Sequence, residues 1–142
     1  IALPYNADRT GFTKPFIGAD ALQHLTDAEF TYPFIGDDPR KVATADPAVV
    51  ADLDGRTIGG VLTCTTDMGI GRHGGRIYSV ASPDKPAGFE PRGLSCGFVK
   101  VTRRLSPGDR VEIRDRRRGI PVTVVEDIRP DRTARRPMNA MF

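Results

Sequence analysis

The sequence predicts a mainly β fold: a small antiparallel β-barrel preceded by an irregular segment with one short helix. Three observations carry this. Among 142 residues there are 15 glycines and 12 prolines, which demand many turns and count against a helical bundle. Asp54-Gly55 lies between two apolar segments, a strong hairpin signal. Arg110-Val111-Glu112-Ile113-Arg114 alternates strictly, with Val111 and Ile113 on the inward face of a strand.

Taken in order, residues 1–45 read as a linker and helical segment. Phe16 to Leu25 places Ile17, Ala21, Leu22 and Leu25 near one helical face. Phe34 to Lys41 reads as a loop. The barrel is expected over 46–128. Val49, Val50 and Leu53 approach the Asp54-Gly55 turn, and Arg56 to Cys64 returns. Gly59-Gly60 inside that strand predicts a bulge or a close backbone approach. Asp67 to Gly75 reads as a loop and Arg76 to Val80 as a strand. A loop with Pro83, Pro86 and Pro91 leads to a strand at Leu94 to Val101. Ser106 to Asp109 turns, Arg110 to Arg114 runs out, Asp115 to Gly119 turns, and Ile120 to Glu126 returns. The stretch 129–142 is an Arg/Pro-rich tail expected to lie along the surface.

Composition excludes several classes. No apolar run approaches the roughly 18 residues that span a bilayer. No charged segment leads into an apolar leader core, so a cytoplasmic location is expected. Ile1 in place of Met suggests a fragment or a processed product. Cys64 and Cys96 lie in apolar runs with no CxxC or CxxH spacing; two buried free thiols are expected, and no metal site.

The formal charge of +3 hides an asymmetry. Residues 1–90 carry 8 basic and 12 acidic side chains, and residues 91–142 carry 13 and 6. The basic third points to an anionic partner. Nucleic acid is disfavoured, because 110–137 contains no Phe, Tyr or Trp on which bases could stack.

Two motifs need weighing. Gly69-Ile70-Gly71-Arg72-His73-Gly74 matches GxGxxG literally. A dinucleotide fingerprint requires a following helix, and here another strand follows. A flexible loop between strands is the expected reading. His73 is of a residue type that can serve in acid–base chemistry, but no nucleophile motif accompanies it, so a solvated loop histidine is expected. His24, on the short helix, reads as structural. No catalytic residue is assigned. Arg114, Arg116, Arg117 and Arg118 cluster at a hairpin tip, suited to phosphate or carboxylate or simply solvated.

The order of segments resembles the C-terminal region of the glycine cleavage T-protein (aminomethyltransferase) and folate-dependent demethylase family. Gly55-Arg56-Thr57-Ile58-Gly59-Gly60-Val61-Leu62-Thr63-Cys64 is similar to that family's "dGxxiGxvTS" segment. Ser106 to Ile113 with Arg118 to Val125 resembles its closing hairpin. Lys14-Pro15-Phe16-Ile17-Gly18-Ala19-Asp20-Ala21-Leu22 is similar to its "kxxFiGkeAL" helix start. The match departs at Cys64-Thr65-Thr66-Asp67-Met68-Gly69, where the family carries "SGxxSP", and in the Pro-rich connection before Phe98.

The resemblance implies a small β-barrel that closes the tetrahydrofolate site of a one-carbon transferase. The folate channel would be lined mainly by upstream folate-binding domains of the same protein. The fragment alone would be inactive. Arg40, Arg72, Arg129 and Arg132 are the expected contacts to folate carboxylates. An acidic carrier protein is a further expected partner. The alternative is a non-catalytic basic β-barrel module that binds an acidic protein or RNA.

Overall fold

A computed structural model of the chain describes residues 6–8, 10–23, 29–44 and 47–129. Eight strands and one short helix appear among them. Six strands close into an antiparallel barrel. Their order around it is β1 (Phe30–Gly36), β6 (Leu94–Val101), β3 (Thr57–Asp67), β2 (Val49–Ala51), β7 (Arg110–Arg114) and β8 (Gly119–Val124), and β8 returns to β1. Closure leaves none of the six with an unpaired edge.

The barrel interior follows from the period of two. Phe34, Val50, Val99, Val101, Val111, Ile113, Ile120, Val122 and Val124 all turn inward and are buried. Charged neighbours such as Arg110, Glu112 and Arg114 take the outer face of β7. The strands β3 and β6 cross closely. A Cβ on Gly59 would meet the Lys100 carbonyl, and one on Gly97 would meet the Thr63 carbonyl. The register shifts between Val61 and Thr63. The Gly59-Gly60 pair therefore marks both the close approach and the neighbouring bulge expected of it.

The remaining strands, β4 (Ile70–His73) and β5 (Arg76–Ser79), form a separate hairpin. Gly74 and Gly75, both at positive φ, make its two-residue turn. The hairpin packs on the outside of the barrel. Ile70 and Ile77 meet Ile35, Leu94 and Cys96 there, in a second core.

Two readings are corrected. Phe34 to Lys41 is not wholly a loop: Phe34 to Gly36 end β1, which pairs with both β6 and β8. The barrel thus draws its first strand from the segment read as irregular. Phe34 faces the barrel interior and Ile35 the second core, so β1 is buried on both faces and shows no alternation. Likewise Asp67 to Gly75 is not a flexible loop: Ile70–His73 is a strand with four paired residues on β5. The helix α1 spans Ala19–Gln23; His24 and Leu25 lie outside the described residues. So does the tail beyond Arg129. No described helix is long and apolar enough to cross a membrane.

Candidate functional site

Two grooves meet at Pro39, on the loop that leaves β1. The first, of about 510 Å3, lies between Asp37-Asp38-Pro39, the end of β4 and the segment 88–94. The second, of about 520 Å3, lies between residues 39–43 and the turn joining β7 to β8.

The first groove owes its shape to the GxGxxG segment. A Cβ on Gly71 would come within 3.2 Å of both Phe89 Cζ and Pro91 Cα. Gly71 thus lets the Pro-rich segment lie across the hairpin. The Gly93 amide donates to the Ile70 carbonyl at 3.0 Å and fastens that segment to β4. Phe89 leans against Tyr78, ring centroids 5.8 Å apart. Gly69 makes room for the Arg129 guanidinium, whose Nη2 would lie 2.9 Å from a Cβ there. Gly74 supplies the turn. Packing accounts for Gly69 and Gly71 and the turn for Gly74, and no helix follows to present amides to a pyrophosphate.

Charges of both signs face this groove. Arg72 reaches Asp37 at 3.3 Å, and Arg110 reaches the same carboxylate at 3.0 Å. Arg92, Glu90 and His73 also line it and make no ion pair among the described residues. His73 is solvent-exposed at the end of β4.

The three described folate-contact candidates do not converge. Arg40 is on the second groove, where Asp38 holds its guanidinium through Nε at 2.8 Å and Nη2 at 2.6 Å. That bonding keeps the Asp38 carboxyl below the usual carboxylate range. Arg72 is on the first groove. Arg129 lines neither; it donates to Asp67 through Nε and Nη2, both at 2.7 Å. Arg132 lies outside the described residues. Sequence reasoning missed Arg92 and Glu90, which stand singly among glycines and prolines on either side of Pro91 and carry no local signal. Arg117 and Arg118 were visible as a cluster, but Lys41 facing them was not.

Both thiols are free, as expected, but only Cys96 is buried, while Cys64 is half-buried on β3. Burial pushes both above the ordinary thiol value. Among the described residues no group of three or more His, Cys, Asp or Glu side chains is placed to hold a metal ion.

No family model, no curated protein and no solved structure matches the chain.

Proposed function

We propose that the chain is the C-terminal barrel of a cytoplasmic, tetrahydrofolate-dependent methyl- or aminomethyltransferase, and that its first groove forms one wall of the folate site. The three segments that carry the resemblance supply a helix and three barrel strands. Lys14 to Leu22 leads into α1, Gly55 to Cys64 is the body of β3, and Ser106 to Val125 is the β7–β8 hairpin. The observation that carries the proposal is the pairing of Arg92 with Glu90 in one groove, both without an ionic partner among the described residues.

The donor set suits a reduced folate. Its pterin presents a row of N–H donors, which a carboxylate such as Glu90 accepts. Its glutamyl end presents carboxylates, which an arginine fork such as Arg92 receives in bidentate fashion. Arg72, already held by Asp37, serves as a fixed positive wall. Tetrahydrofolate supplies the nitrogen that accepts the one-carbon unit. This chain's share is to bind and orient it, while upstream folate-binding domains complete the channel and an acidic carrier protein is a candidate donor. Orientation of this kind removes the entropic part of the barrier.

The test is transfer itself. The full protein is incubated with tetrahydrofolate and a panel of methyl and aminomethyl donors, and one-carbon-substituted tetrahydrofolate is followed by mass spectrometry. A substituted product that depends on the protein supports the reading. A protein that neither binds tetrahydrofolate nor forms product overturns it.

A further inference from the structure

The second groove is built differently from the first. Arg40, Lys41, Arg117 and Arg118 line it, with Asp115 between the walls. Lys41, Arg117 and Arg118 form no ion pair among the described residues, although the charge of Arg118 is felt by Asp115. With Asp38 and Asp115 set against the four cations, two positive charges remain.

A solvated turn is the ordinary fate of such arginines, and two features set this one apart. Asp115 ties the walls together. Its Oδ2 accepts the Ala43 amide across the groove at 2.9 Å, and its Oδ1 accepts the amides of Arg117 and Arg118 at 2.7 and 2.8 Å. The carboxylate is thus engaged by backbone, and the chain segments bearing the cations are fixed before any ligand arrives, which lowers the ordering cost of binding. Second, the groove is rooted in the core: Val42, beside Lys41, is 2% exposed and belongs to the barrel interior.

We infer that this groove binds a small phosphorylated ligand, with its phosphoryl group held by Lys41, Arg117 and Arg118. Charge favours that class. A phosphomonoester carries about −1.5 to −2 near neutral pH, which matches the surplus, whereas one carboxylate would leave half of it unmet. Among the described residues no aromatic side chain lines the groove, so they offer no platform for stacked bases and favour a small ligand over single-stranded nucleic acid. The site uses other cations than the folate wall, lies on the other side of Pro39, and does not rest on the folate reading.

The probes are inorganic phosphate and pyrophosphate, titrated into the 142-residue chain and followed by backbone amide NMR shifts. Saturable shifts are expected at Lys41, Ala43, Arg117 and Arg118. Binding weakens at least tenfold in the Arg117→Ala/Arg118→Ala double variant and, separately, in Lys41→Ala. Arg76→Ala, which removes the partner of Asp84 on β5, leaves it unchanged. All substituted residues are exposed, and retained amide dispersion reports that each variant is folded. The inference is overturned if no saturable shift appears, or if both groove variants bind as tightly as the parent. It is equally overturned if a single-stranded RNA binds with a steep salt dependence where pyrophosphate does not bind.

Discussion

The guanidinium of Arg129 grips the carboxylate of Asp67 with two bonds of 2.7 Å, joining the chain beyond β8 to the end of β3 across 62 residues of sequence. The pair is partly shielded and sits beside Gly69, the first glycine of the GxGxxG segment.

Asp67→Asn is expected to cost about 1 kcal/mol at neutral pH, between the values for exposed and buried charged bonds. The Arg129 hydrogen bonds hold the Asp67 carboxyl below its ordinary value of 3.8. A depressed folded-state pKa gives stability that is present above the unfolded value and lost as pH falls through the folded one. The gap between parent and variant should therefore be full at pH 7 and close below pH 3.8. Urea unfolding curves at a series of pH values measure it.

The two faces of the barrel wall should respond differently to truncation. Phe34 is 0% exposed inside the barrel, and Phe98, on the outer face of β6, is 43% exposed. Phe34→Ala is expected to cost about 3–5 kcal/mol through the cavity it leaves. Phe98→Ala should stay within about 1 kcal/mol, as a surface change does. Thermal or denaturant unfolding of the two variants gives the comparison.

Glycine replacements separate backbone contacts from side-chain contacts. Gly97→Ala would drive a methyl into the Thr63 carbonyl of the neighbouring strand, and no rotamer relieves that. A loss of about 3 kcal/mol or more is expected, at or beyond the usual range for overpacking. Gly119→Ala would meet only the side chain of Glu112, which is partly exposed and can swing away. That variant should unfold close to the parent, as read by the same curves.

Cys64 and Cys96 should be slow to alkylate in the folded chain. Burial raises both thiols and so lowers the thiolate fraction that attacks. Mass-resolved labelling with iodoacetamide should show little adduct under native conditions and rapid double labelling in denaturant.

What could be seen in the sequence was whatever the pleat or a turn imposes. Val111 and Ile113 revealed β7 because one face is wet and the other dry. Asp54-Gly55 revealed its turn because Gly55 needs a positive φ. Strand β1 was hidden because Phe34 and Ile35 are both buried, one in each core, and the period disappears. Strand β4 was hidden because it is four residues long and its one glycine, Gly71, serves packing, with Gly69 and Gly74 flanking it. At the candidate site the residue types were legible and the pairings were not. Asp37 stands in sequence beside Asp38, yet its partners are Arg72 and Arg110, brought from distant strands. Arg92 carried no local signal; only the fold shows that it faces a groove without an ionic partner among the described residues.

The most direct measurement is a calorimetric titration of tetrahydrofolate into the full protein and into its Arg92→Ala variant. The folate reading predicts saturable binding to the parent, weakened about tenfold or more in the variant, as befits a lost bond between charged groups. No binding to the parent, or equal affinity in the two proteins, would contradict it.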